Sequence, residues 1–303
     1  MKSMRSLLIN IIYIIEAFCL CIWITICRLI GIDFASSLGS KIVKFIGPLS
    51  KFDTRAEMNL KKIFPSLNIE EQKIIKKNMW DNLGRNIGEF AFANKLNPYN
   101  DQNINSFKKE SRFIIEGQQY LEDINHKKTG AIFFSAHIGN WEICPLILTG
   151  KGLKVTSIYR HANNPLNEKI IQRLRKGISF YAPKGPSGAK TLFKVLRKKE
   201  FAAVLADQKL NEGVLIDFLG HPAKTATAIA ELSLKLSIPV VPIHVQRIKG
   251  ATFKYIIEKP IINSKKNHNH EEEVLSLLNK INKTIEKWIL KCPEQWLWIH
   301  NRW

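Results

Sequence analysis

Residues 131–142, AIFFSAHIGNWE, decide the fold. Ala131 to Ala136 is an almost wholly apolar run of strand length, and it gives way at once to a histidine, a glycine and polar groups. A strand apolar at successive positions is one covered on both faces, as in a sheet with helices on either side. Working outward, further strand-length runs are LKVTSIY at 153–159, FAAVLA at 201–206, VLIDFL at 214–219, VVPIHV at 240–245 and FKYII at 253–257. They alternate with helical patterns near 166–176, 187–198, 225–236 and 271–291, which predicts an α/β fold with a mixed sheet flanked by helices. Before the sheet, RAEMNLKKIFP and IEEQKIIKKNMWDNLGRNIGEFAFA place apolar residues three and four apart, so residues 54–96 are expected to be helical.

The amino end is of a different kind. From Leu7 to Cys27 the chain runs 21 residues interrupted only by Asn10, Glu16 and Thr25, about the length of a helix that crosses a hydrocarbon core. The run is too long for a signal-peptide core and no small-x-small cleavage site follows it, so a membrane helix is expected. Glu16 at mid-segment would cost about 2.5–3.5 kcal/mol in lipid, which calls for protonation, a protein partner or an interfacial position. Lys2 and Arg5 before the segment against Arg28, Lys41 and Lys44 soon after it favour a cytoplasmic globular part. The following stretch, SSLGSKIVKFIGP at 36–48, reads equally as an amphipathic helix on an anionic bilayer or as a core-facing helix. With no repeat or long linker from Lys51 to Trp303, the expected division is a membrane anchor at 1–35 and one α/β domain at 36–303.

At 303 residues with 45% hydrophobic content, the chain can bury a sizeable core, and 46 basic against 26 acidic side chains leave +20. Residues 1–35 hold only +1 of this surplus, so the globular part is the basic part. Such a charge suits nucleic acid, an anionic membrane, phosphorylated substrates or an acidic protein. Three of the five cysteines lie in the apolar segment and Cys144 and Cys292 stand apart, so neither a disulfide framework nor a zinc site is suggested. No P-loop, G-x-S-x-G elbow or H-E-x-x-H site occurs, and no metal or cofactor is expected.

Chemistry is sought at the carboxyl ends of the strands. The strand at 131 runs into His137, with Glu142 five positions on. Within one helix five residues turn about 500°, leaving the side chains roughly 140° apart, so the two meet only if His137 sits on a strand-to-helix turn. Gly139 permits such a turn. Glu142 is then expected to reach one ring nitrogen and fix the tautomer, leaving the other to take a proton from a substrate hydroxyl.

HIGNWE, with NLKKIFP, YRHANNPL at 159–166, LADQ at 205–208, FLG at 218–220 before TATAIAELS, and the terminal PEQWLWIHNRW, resembles the lysophospholipid-acyltransferase superfamily, whose hallmark is H-x-x-x-x-D/E. Within it the chain resembles the lipid A biosynthesis acyltransferases that add secondary acyl chains. The resemblance implies a glycerolipid-acyltransferase-like fold and an enzyme at the cytoplasmic face of a bacterial inner membrane. It would move a fatty acyl group from acyl carrier protein to the hydroxyl of a 3-hydroxyacyl chain on a phosphorylated lipid A precursor. His137 would be the general base and Glu142 its orienting carboxylate. Arg160 falls in the block that supplies a substrate-binding arginine, and Asp207, Gln208 and Lys209 fall where the superfamily contacts acceptor phosphate. The last block departs from the usual Glu-Gly-Thr-Arg-like pattern, since Lys209 is the nearby cation. Thr225 and Thr227 either border the site or cap a helix.

The terminal PEQWLWIHNRW reads as a membrane-interface aromatic cluster or as a packed terminal segment. Lys184, Lys190, Lys194, Arg197, Lys198 and Lys199 form a cationic block that is either a solvated face or a dock for an acidic carrier or lipid phosphates. A same-superfamily enzyme acting on a glycerophospholipid or another glycolipid is the nearest alternative. A nucleic-acid binder is disfavoured, because no aromatic-basic RNA-binding pattern or zinc finger accompanies the charge.

Overall fold

The computed structural model describes residues 2–100, 111–262 and 269–303. In chain order the helices are α1 (Lys2–Ile30), α2 (Ile32–Ile46), α3 (Lys51–Ile63), α4 (Ile69–Glu89), α5 (Gln118–Lys127), α6 (Leu146–Thr149), α7 (Pro165–Leu174), α8 (Pro186–Arg197), α9 (Ala228–Leu236) and α10 (His270–Lys291). The strands are β1 (Phe113–Glu116), β2 (Ala131–Ser135), β3 (Val155–Tyr159), β4 (Phe180–Pro183), β5 (Phe201–Leu205), β6 (Val214–Phe218), β7 (His221–Thr225), β8 (Val240–Lys249) and β9 (Thr252–Ile257).

Seven strands form one sheet in the order β1-β9-β8-β2-β5-β3-β4. All neighbours are parallel, as strands alternating with helices lead one to expect, except β8 and β9, which follow each other directly and pair antiparallel, so the sheet is mixed. β2 lies at its centre with all five residues buried. Ile132 and Phe134 point into a core shared with α8, α9, α10 and the chain's end, while Ala131 and Phe133 point into a second core with α5, α6 and residues of β9. Burial on both faces explains the unbroken apolar pattern. VLIDFL does not join this sheet. As β6 it pairs with β7 in a separate antiparallel hairpin, where Ile216 and Phe218 face inward and Leu215 is exposed.

The helical amino-terminal part packs against the sheet. α4 starts at a capping box in which the Asn68 side chain accepts from the Glu71 N–H (2.9 Å) and Glu71 accepts from the Asn68 N–H (2.8 Å). α2 lies so close to α4 that a side chain at Gly39 or Gly84 would strike the other helix's backbone. The core-facing reading of residues 36–48 describes one face of α2: Ser36, Gly39, Ser40 and Val43 are buried toward α4, while Phe34, Phe45 and Ile46 are exposed on the other.

α1 is docked rather than free. Residues Leu7–Ile30 are long and apolar enough to cross a bilayer, and the face holding Leu8, Ile11, Ile15, Phe18 and Ile22 is exposed. The opposite face meets protein: Ala17 and Cys27 are buried, Trp23 donates to the Ile87 carbonyl (3.3 Å) and Arg28 to that of Ala91 (3.0 Å). Glu16 accepts a hydrogen bond from the Asn164 amide at 2.8 Å, and the same amide donates to the Tyr13 carbonyl. The mid-segment carboxylate thus has a protein partner.

Candidate active site

β2 and β5 run parallel in a register that pairs Ala131 with Phe201 and Ser135 with Leu205. Extending that register by two residues sets His137 beside Asp207, at the carboxyl ends of two central strands. The His137 Nδ1–H donates to Asp207 Oδ1 at 2.8 Å, and the His137 backbone N–H donates to Oδ2 at 2.8 Å. Trp296, from the carboxyl-terminal segment, donates its indole N–H to the same Oδ2 at 2.8 Å. Asp207 is completely buried. Burial acts to raise its carboxyl, but the charge at His137 and the hydrogen bonds from it prevail and hold the group well below the usual carboxylate range.

The expected contact between Glu142 and His137 is not formed. Beyond Gly139 the chain enters a short 3-10 helix, Trp141–Ile143, that carries Glu142 away from the ring. There Arg175, just past the end of α7, takes both carboxylate oxygens, with Nη2 at 2.7 and 2.8 Å and Nε at 3.1 Å. The fork-to-carboxylate match competes better than a single imidazole N–H, and His137 Nδ1 already has Asp207. Arg175 in turn lies 4.2 Å from the centre of the Tyr159 ring, with Tyr181 and Phe90 also against its guanidinium. Glu142 is thus bound to Arg175, and the carboxylate on the His137 ring is that of Asp207.

The turn that presents His137 is held from three sides. Gly139 has φ +56°, and any side chain there would collide with the Val245 carbonyl. From α4, Asn82 and Asn86 donate to the Gly139 carbonyl at 3.0 and 2.7 Å. Glu89 accepts from the Asn140 amide (2.7 Å) and forms a buried ion pair with Arg247 of β8. From the carboxyl end, Gln295 O accepts from the Gly139 N–H and Leu297 N–H donates to His137 O, both at 3.0 Å.

PEQWLWIHNRW is thus the packed segment: Trp296 and Trp298 are fully buried, and Arg302 donates to the Thr225 hydroxyl (2.8 Å). Thr225 serves as an anchor for the chain's end, and Thr227 stands at the start of α9 without a side-chain capping bond. The same segment brings the His300 ring to 4.7 Å from that of His137.

Two of the other expected binding residues lie outside this cluster. Arg160 is exposed just after β3 and donates to Asn163 Oδ1 (3.2 Å). Lys209 follows Gln208 and is half-buried. Asp207, expected at acceptor phosphate, is too deeply buried and too fully bonded to meet one. Gln208 sits over the free side of the base, its Nε2 3.2 Å from His137 Nε2. Arg175, Trp296 and His300 are the residues that sequence reasoning did not assign to the site. Only the aromatic density around 296–303 gave a signal for two of them.

The family model for "Bacterial lipid A biosynthesis acyltransferase" matches residues 1–303. The chain is 27% identical over 294 residues to a lipid A biosynthesis acyltransferase of Haemophilus influenzae, covering 92% of this chain and 86% of the relative. It is 23% identical over 288 residues to lipid A biosynthesis acyltransferase 2 of Shigella flexneri, covering 91% and 87%. A phosphatidylinositol mannoside acyltransferase of Mycobacterium tuberculosis is 24% identical over 139 residues, 43% of each chain.

Proposed function

Because the chain belongs to the bacterial lipid A biosynthesis acyltransferase family, we propose that it transfers a fatty acyl group from acyl carrier protein to the hydroxyl of a 3-hydroxyacyl chain on a lipid A precursor. The observation that carries the reading is the His137–Asp207 pair at the ends of β2 and β5. Asp207 fixes the proton on Nδ1, so Nε2 is the ring's basic nitrogen and faces Gln208 rather than the core. An acceptor hydroxyl that displaces the Gln208 amide would meet a base of the correct tautomer and would then attack an acyl thioester directly. No protein nucleophile is needed. In this reading Glu142 acts through Arg175, keeping Tyr159 and Tyr181 in place as a wall of the site, and Arg160 and Lys209 supply cations for the acceptor's phosphates.

The apolar outer face of α1 and the surplus of +20 support a seat at an anionic membrane, which we place at the cytoplasmic face of the inner membrane. The acidic carrier protein would be drawn by the same surplus, and the cations on and after α8 offer it one place to dock.

Mass spectrometry of lipid A from cells with and without the protein tests the reading: one added acyl chain is expected, and it should vanish with His137→Ala. The partial likeness to a phosphatidylinositol mannoside acyltransferase favours one alternative, a different glycolipid or a glycerophospholipid as acceptor. Purified protein offered acyl carrier thioester with each acceptor class separates the two. Transfer to a phospholipid but not to the lipid A precursor would replace the first reading by the second.

A further inference from the structure

The side-chain amide of Gln208 stands between two imidazoles. Its Nε2 is 3.2 Å from His137 Nε2 and 3.2 Å from His300 Nε2, with His300 Nδ1 at 3.4 Å. A primary amide nitrogen carries two hydrogens, and here each has its own ring to meet. His300 is brought to this position by the carboxyl-terminal segment, where Asn59 of α3 donates to the Trp298 and His300 carbonyls at 2.7 and 2.8 Å. Burial, and then the charge at His137, push the His300 pKa down to about 4, so at neutral pH its ring is uncharged and accepts.

The amide's place gains meaning once the acceptor binds. A hydroxyl that takes over His137 Nε2 releases one Gln208 N–H at about 3 Å from the attacking oxygen, the reach of one hydrogen bond. The thioester carbonyl oxygen, one bond from the attacked carbon, develops its negative charge in the same space. His300 meanwhile retains the second N–H, which keeps the amide nitrogen from turning away.

Building on the acyl-transfer reading above, we propose that Gln208 is the hydrogen-bond donor to the oxyanion of the tetrahedral intermediate and that His300 is the positioning residue that aims it. The acceptor O–H proton passes to His137 Nε2 as the new C–O bond forms, and the carbonyl π pair moves onto oxygen, where the Gln208 N–H meets it. The pair then returns to carbon, the C–S bond breaks, and the carrier thiol leaves with the proton from His137. His300 neither gains nor loses a proton.

The test is the steady-state kinetics of the full-length protein in detergent micelles, with acyl carrier thioester and lipid A precursor. Gln208→Met keeps the length and removes both N–H groups, and kcat should fall about 10²- to 10³-fold while both KM values stay within about threefold. Gln208→Glu, a closer shape match that also lacks the donors, should fall by a similar factor. His300→Ala should lose roughly 10- to 100-fold in kcat, and His300→Gln, which returns an acceptor near Nε2, should recover most of it. Because the two residues act as one unit, Gln208→Met with His300→Ala should be within about threefold of Gln208→Met alone. Near-wild-type kcat in either folded Gln208 variant, multiplicative losses in the pair, or a loss confined to KM would each overturn the proposal. A wild-type chain that transfers no acyl group to any acceptor would instead overturn the acyl-transfer reading, and this proposal with it.

Discussion

The position of His137 was legible in the sequence: it follows a doubly buried strand, at the end where α/β sheets build sites. Its hydrogen-bond partner was not legible from local spacing, because strand register decides that contact. Glu142 is near His137 in sequence, yet the 3-10 helix after Gly139 delivers it to Arg175. Asp207 is 70 positions away in sequence but occupies the matching place on the neighbouring strand, two residues beyond the paired Ser135 and Leu205. The usable signal was two apolar runs, AIFFSA and FAAVLA, of equal length and each ended by an ionisable residue. The two carboxylates should therefore fail differently. Asp207→Asn removes the charge that holds the tautomer and should lower kcat by about 10³- to 10⁴-fold. Glu142→Gln leaves the base intact but weakens the Arg175 brace, so its kcat loss should be about tenfold, with a lowered thermal midpoint. Turnover and melting temperature of both variants decide the matter. A larger kcat loss from Glu142→Gln than from Asp207→Asn, with no loss of stability, would return the orienting role to Glu142.

Long elements with a clear period were readable, and short ones were not. The helices at 165–174, 186–197 and 270–291 and the strand at 240–249 follow the expected pattern, whereas β1 and β4 hold four residues each, too few to show a period. Composition also could not say how β8 and α10 meet. His244 of β8 stacks on Trp288 of α10, with ring centres 4.4 Å apart. Burial, and then the charge of Lys291, push its pKa down to about 3 from an ordinary 6.5. A histidine kept neutral by folding is protonated first in the unfolded chain. Above pH 6.5 the residue is therefore neutral in both states and contributes nothing to the pH dependence. As pH falls from 6.5 toward 3 the unfolded state binds the extra proton and stability drops. At pH 5 the cost is about 2 kcal/mol relative to pH 7, on the order-of-magnitude scale of 1.4 kcal/mol per pH unit. His244→Phe keeps the stack and removes the titration, so the fall in urea-unfolding stability between pH 7 and pH 5 should be about 2 kcal/mol smaller than in wild type. Equal falls in the two proteins would show that His244 titrates normally in the fold.

At the scale of the molecule, the +20 surplus and the apolar amino end were evident from composition, but not which cations stand beside exposed apolar side chains. α1 leaves its outer face uncovered, and beside its end Ile30, Phe34, Leu38 and Lys41 line one shallow depression. Further along α2 and beyond it, Phe45 and Leu49 are 75% and 79% exposed, with Lys51 and Arg55 exposed nearby. Large apolar side chains flanked by cations match the interface of an anionic bilayer, where burying each is worth about 1.5–3 kcal/mol and each cation near the surface about 1 kcal/mol. If α1 alone held the enzyme, these residues would have no bearing on catalysis. If they seat the domain at the height of the acceptor's acyl chains, they matter only when the acceptor lies in a bilayer. Phe45→Asp combined with Leu49→Asp touches neither the His137 cluster nor the face of α2 that packs on α4. Turnover on acceptor dispersed in detergent micelles should be unchanged, while turnover on acceptor in phosphatidylglycerol-containing vesicles should fall about tenfold or more. A vesicle-to-micelle rate ratio equal to that of wild type would show that Phe45 and Leu49 have no part in reaching an acceptor held in a bilayer.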